Sequence, residues 1–156
     1  MRWVWLLFWV GAAEGAGALG TFFTIPAISG WYATLVRPAL APPSWVFGPV
    51  WVMLYLLMGI AAWLVWLHWA ESREARRAID LFALQLVLNA AWSPIFFGLQ
   101  SLGGALIEIV LLWLAIAFTI RAFNRVSRAA AWLMAPYLAW VTFATYLTAA
   151  FWFLNV

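Results

Sequence analysis

The chain has 156 residues, of which 69% are hydrophobic and 8% charged. An average soluble domain is about 25% charged, and eight arginines with five acids cannot cover the surface of a protein this size. A soluble domain, a disordered chain and, with no cysteine, a disulfide scaffold are excluded; a polytopic membrane protein remains. Crossing a bilayer core of about 30 Å takes about 20 mostly apolar residues in a helix. The first such stretch runs from about Trp3 to Ile25, broken only by Glu14. It is too long for a signal peptide and holds an acid, so it reads as a retained helix. Within it Gly11-Ala-Ala-Glu-Gly15, extended by Gly17 and Gly20, favours close helix contact.

Residues 26–44 form the longest connector, and an unusually apolar one. Ser29 can cap a short helix holding Trp31, Tyr32 and Leu35, which Pro38 would end. Pro42-Pro43 stiffens the approach to the second span. The segment reads as a lid folded over the helix ends, or else as an interfacial anchor.

The second span covers about 45–69, the third 79–99, the fourth 102–120 with Glu108 inside it, and the fifth 129–154. Lipid offers no partner to backbone N–H and C=O groups, so these spans are helices. The fold expected is therefore all-α: one five-helix transmembrane domain over 1–156 with a lid-like first loop. Short links make successive helices antiparallel. Every basic residue is arginine. Arg2, Arg73, Arg76, Arg77, Arg121, Arg125 and Arg128 fall on one side and Arg37 alone on the other. For insertion into a cytoplasmic membrane this bias puts the N-terminus in the cytoplasm. The basic balance thus reads as topology facing anionic headgroups, not as a nucleic-acid surface.

Polar residues at membrane depth need partners. In the third span Gln85, Asn89, Trp92 and Phe96 share one helical face, and Pro94 predicts a kink. Trp51, Tyr55, Met58 and Ala62 repeat the spacing in the second span. Tyr137, Trp140, Ala144 and Phe151 do so in the fifth. Each stripe alone fits ordinary helix packing; three together fit an aromatic-walled pocket for a flat apolar ligand. Glu14 and Glu108 are intramembrane acids, candidates for proton coupling or for hydrogen bonding as the neutral acid. His68 reads as interfacial or as a haem ligand. No metal-ligand cluster, catalytic triad or phosphate-binding glycine loop is present. Neither a metal nor a required cofactor is expected.

Three motifs resemble one family. Trp31-Tyr32-x-x-Leu35-x-x-Pro38-x-x-x-Pro42-Pro43-x-Trp45-Val46-Phe47-Gly48-Pro49-Val50-Trp51 is similar to the first loop and second helix of the translocator proteins, also called tryptophan-rich sensory proteins or peripheral benzodiazepine receptors. Gln85-Leu-x-Leu-Asn89-x-x-Trp92-x-Pro94-Ile95-Phe96-Phe97-Gly98 resembles the third helix of that family. Pro136-Tyr137-Leu138-Ala139-Trp140 with Phe143-Ala144-Thr145 resembles the fifth. The resemblance spans almost the whole chain and suggests a bacterial member.

It implies a five-helix bundle, commonly a homodimer, with one pocket closed by the first loop. The implied ligands are porphyrin or haem tetrapyrroles, sterols and isoquinoline or benzodiazepine-type drugs. Carried over by position, the pocket holds Tyr32, Trp51, Asn89, Trp92, Phe96, Trp140 and Ala144. Tyr55, Gln85, Glu108 and Tyr137 are further candidates. No Lys or Arg follows Tyr146, so the family's proposed cholesterol motif is incomplete and sterol transport is not carried over. The function implied is a membrane receptor or carrier for tetrapyrroles, tied to transport or stress sensing. A light-dependent porphyrin-degrading enzyme and a small proton-coupled exporter using Glu14 and Glu108 are the alternatives.

Overall fold

The computed structural model describes residues 2–156. Five helices are long and apolar enough to span a membrane: α1 (Arg2–Ile28), α3 (Ser44–Trp66), α4 (Arg73–Ser93), α5 (Leu102–Val126) and α6 (Arg128–Asn155). A single turn, α2 (Trp31–Thr34), lies in the first loop. No strand occurs among the described residues. Helix α1 packs on α3, α3 on α6, α6 on α5, α5 on α4, and α4 back on α1, which closes a ring of five. This is an all-α integral membrane fold with the first loop laid across one end.

The helices are longer than their apolar runs. Helix α4 begins at Arg73, about two turns before Ile79, because Ser72 accepts a hydrogen bond from the Ala75 amide at 3.2 Å and starts the helix among charged residues. Helix α5 likewise runs to Val126, carrying Arg121 and Arg125 on its last turns. Helix α1 continues through Pro26 to Ile28, whereas α3 stops at Trp66 and residues 67–71 form turns. Apolar run length marks the lipid-facing part of a helix, and capping decides where the helix starts. Ser29 does not cap α2; Gly30 stands at that position without a side-chain bond. Pro94 marks a change of helix type. Residues Pro94–Gly98 form a turn of π-helix, with the Leu99 amide donating to the Pro94 carbonyl at 2.9 Å. Gln100, left-handed at φ 52°, then reverses the chain, and the Ser101 hydroxyl caps α5 by accepting from Gly104.

Lipid is as apolar as leucine, so helix association here depends on close packing and on polar contacts. Gly59 of α3 lies against the α1 backbone: a Cβ at this position would meet Val10 Cα. A Cβ at Gly17 would run into the Tyr55 ring. Gly11 and Gly15, by contrast, face outward with nothing within 4 Å of where a Cβ would sit. The inward glycines of α1 are therefore Gly17 and Gly20, not the first pair. Tryptophans that border no pocket also join helices. Trp9 packs edge-on to Phe82, Trp63 stacks on Trp3 and donates to the Arg2 carbonyl at 3.0 Å, and Trp113 donates to Thr142 at 2.8 Å.

A Gly59→Ala substitution therefore forces α1 and α3 apart and lowers stability by about 1–3 kcal/mol. The thermal midpoint of the detergent-solubilised protein reads this out, with Gly15→Ala unchanged as the internal control.

Candidate functional site

Four side chains from three helices form one hydrogen-bonded unit in the middle of the bundle. The Tyr55 hydroxyl of α3 donates to Asn89 Oδ1 at 2.6 Å. Asn89 Nδ2 of α4 donates to the Tyr137 hydroxyl of α6 at 2.9 Å, and that hydroxyl donates to Gln85 Oε1 at 3.0 Å. Spacing puts Gln85 and Asn89 one turn apart on α4, so both amides point the same way. The bonds run in a chain in which each hydroxyl and amide oxygen has a partner. Gln85 and Tyr137 are fully buried.

Aromatic rings continue the unit toward the lid. Trp51 stacks on Tyr55 with centroids 5.4 Å apart and meets Tyr137 edge-on at 6.2 Å. Trp92 stacks on Phe96 at 4.8 Å. The lid lies over Phe96: Trp31 meets it at 5.8 Å and Tyr32 at 6.3 Å, while Tyr32 also packs on Phe151 at 5.4 Å. Trp140 holds Phe47 edge-on at 6.0 Å, and Ala144 packs at the margin of the main core. Trp92 touches both the main core and the smaller cluster of Phe96, Leu102, Ala105 and Phe151 beneath the lid. Met58 and Ala62, which share the stripe of Trp51 and Tyr55, are fully buried in the core and serve helix packing.

These rings pack directly on one another. Two surface openings lie elsewhere. One is a groove between α5 and α6, and the other a cleft of about 390 Å³ beside Phe23, Trp31 and Phe97. The rings form three groups of contacts: Trp51 with Tyr55 and Tyr137, Trp92 with Phe96 and the lid, and Trp140 with Phe47. Several buried polar atoms around the cluster have no partner: Gln85 Nε2, Trp92 Nε1, Trp140 Nε1 and both oxygens of Glu108. Trp9 Nε1, outside this cluster, is unpartnered too. Glu108 lies on α5 within electrostatic reach of Tyr137, and Glu14 on α1 within reach of Tyr55. Among the described residues no three His, Cys, Asp or Glu gather in a way that could hold a metal. His68 is exposed near the end of α3, 3.2 Å from the Leu64 carbonyl through Nδ1.

The lid is held by a residue that periodicity did not single out. Asn155, at the end of α6, accepts from the Val36 amide at 2.8 Å and donates to the Val36 carbonyl at 3.1 Å. Its side chain thereby imitates a neighbouring strand. A lone asparagine at a chain end gives no spacing signal, and its partner is 119 residues away. Arg37 stiffens the loop from inside: it donates to the Pro42 carbonyl at 3.2 Å and sits 5.9 Å from the centre of the Tyr32 ring. Burial pushes the Tyr32 phenol above its ordinary range, opposed in part by the Arg37 guanidinium beside it.

Comparison with known proteins settles the family. The TspO/MBR family pattern matches residues 9–153. The chain belongs to the TspO/MBR family. It is 45% identical to the tryptophan-rich protein TspO of Chlorobaculum tepidum over 88% of this chain and 87% of that one. Identity to the Homo sapiens translocator protein is 43%, covering 88% and 84%. For the tryptophan-rich sensory protein of Cereibacter sphaeroides it is 37%, covering 90% and 86%. The TspO/MBR match takes in all five membrane helices and the lid.

Removing the Tyr137 hydroxyl leaves an Asn89 donor and a Gln85 acceptor unpaired in the bundle, whereas removing that of Tyr55 leaves one acceptor. Tyr137→Phe is therefore expected to cost about 2–3 kcal/mol and Tyr55→Phe about half as much, read as the order of thermal midpoints. Asn155→Ala is expected to speed hydrogen exchange of the Val36 amide roughly tenfold, with exchange in the middle of α4 unchanged.

Proposed function

We propose that this TspO/MBR protein is a membrane receptor or carrier for a porphyrin or haem-type tetrapyrrole, taken up in the aromatic cluster beneath the lid. One observation carries the reading. Unpartnered donors of Trp92, Trp140 and Gln85, with the unpartnered acid Glu108, surround rings already arranged in stacked and edge-on pairs. A buried polar group left unpaired costs about 1–3 kcal/mol, and a ligand with polar edge groups would remove that cost. A tetrapyrrole is a flat, mostly apolar disc with carboxylates on its rim. Its faces suit Trp51, Trp92, Phe96 and Trp140, and its rim suits indole and amide N–H donors. Ala144, a small residue one turn from Trp140, would border the bound disc, and Tyr32 would close over it with the lid. Isoquinoline and benzodiazepine-type drugs, also flat and aromatic, would use the same rings. In the orientation proposed with this function, the end rich in arginine faces the cytoplasm and the lid faces the opposite side.

Titrating protoporphyrin IX into the purified protein in the dark should quench tryptophan fluorescence with a dissociation constant of roughly micromolar size. Trp51→Ala and Trp140→Ala should each weaken binding about tenfold or more. Unchanged affinity in both variants would remove the proposed site. Under light, faster loss of porphyrin absorbance with folded than with denatured protein would favour the degrading enzyme instead.

A further inference from the structure

The end of the bundle away from the lid carries seven of the eight arginines. They are not equivalent. Arg125 and Arg77 lie near Glu74. Arg121 and Arg128 border a different feature, the groove of about 800 Å³ between α5 and α6. Helix α5 offers Ala117, Arg121 and Asn124, and α6 offers Arg128, Ala131 and Ala135. These positions repeat every three to four residues, so each helix turns one stripe toward the groove. Both guanidinium groups and the Asn124 amide are exposed at the mouth, and no carboxylate lines it. The floor is alanine. Phe118 and Trp132 stand at the rim, 60% and 67% exposed. From Arg128 to Ala135 the groove descends about 10 Å along the helix axis, from headgroup level into hydrocarbon.

We propose that this groove binds one anionic diacyl phospholipid. Arg121 and Arg128 hold its phosphate, and one acyl chain lies along Ala131 and Ala135. The planar guanidinium fork matches phosphate oxygens in pairs and is less strongly hydrated than an ammonium. Two such forks without an acid between them favour a headgroup with net negative charge. A zwitterionic lipid would bring its own cation against the same arginines. The apolar floor distinguishes a lipid from a free anion, for which alanines at hydrocarbon depth do nothing. Trp132 stands where an indole belongs beside headgroups.

The full-length protein, purified in detergent, is titrated with dioleoyl phosphatidylglycerol, dioleoyl phosphatidylcholine or inorganic phosphate and observed by native mass spectrometry. The expected result is one phosphatidylglycerol per chain, held at least about tenfold more tightly than phosphatidylcholine. The double variant R121Q/R128Q should lose roughly tenfold in phosphatidylglycerol affinity, while R73Q/R77Q, which removes equal charge at the same membrane face, changes it less than about twofold. A135L, which fills the floor and keeps both arginines, should weaken the lipid and leave phosphate binding as it was. Equal losses in the two arginine pairs would overturn the proposal in favour of diffuse surface charge. Equal affinity for the two lipids would overturn it as well. Displacement of the lipid by millimolar phosphate, with A135L silent, would make the groove a free-anion site. If R121Q/R128Q fails to fold, A135L and the single variant R121Q decide by the same criteria.

Discussion

Within hydrocarbon a polar side chain has no solvent to fall back on, and the chain of bonds from Tyr55 through Asn89 and Tyr137 to Gln85 follows from that constraint. Apolar helices in lipid can slide or rotate past one another at little cost, because one hydrocarbon surface replaces another. Three helices joined through two amides and two phenols cannot. Any rotation of α4 that moves Asn89 away from Tyr137 leaves donors and acceptors buried without partners, so the network fixes the relative rotation of α3, α4 and α6. Helix α1 is then located by shape, with its Val10 backbone against Gly59 and its Gly17 against the Tyr55 ring.

This division separates a hydrogen-bonded part of the candidate site from an aromatic part. The polar network lies on three of the long helices and holds its geometry by directional bonds. The rings toward the lid sit where the structure is less constrained. Phe96 and Phe97 belong to the π-turn that Pro94 produces, and Tyr32 belongs to a loop held at its far end by one asparagine. A ligand ring that met these side chains in stacked or edge-on geometry would gain the same kind of contact that they make with one another. Helix termini and loops with few buried bonds open at lower free energy than a core, and here that weaker part covers the aromatic cluster.

Much of this was legible in the sequence, and the remainder shows where sequence reasoning stops. The five spans follow from hydropathy, since nothing but a helix can run through lipid. The pairing of Asn89 with Tyr55 and Tyr137 is suggested by stripes at helical spacing, because spacing fixes which face each residue occupies. Spacing does not fix which helices face one another or whether the space between them is open. Met58 and Ala62 share the stripe of Trp51 yet are fully buried in the core and serve packing. The helix start at Arg73 depended on the Ser72 cap rather than on apolarity. Asn155 was silent because its meaning lies entirely in a contact with a loop 119 residues away. Among the glycines of α1, pattern alone could not tell the pair facing lipid from the pair facing α3 and α4.

The two ends of the molecule differ in chemistry, and on the function proposed above the difference bears on how an apolar ligand would be handled. At the lid end the charge is a single arginine, Arg37, and it is engaged with Pro42 and the Tyr32 ring. At the other end stand seven arginines. A ligand with an apolar disc and an anionic rim partitions with its rim at a headgroup layer. Near the lid it meets a surface of Trp31, Phe23 and Phe97 bordering a cleft in the wall of the bundle, with little competing charge. The same ligand at the arginine-rich end would be held at the surface by guanidinium groups instead of passing into rings. On the function proposed above, the same asymmetry of charge would keep the aromatic end free of cations that would hold an anionic ligand outside the site.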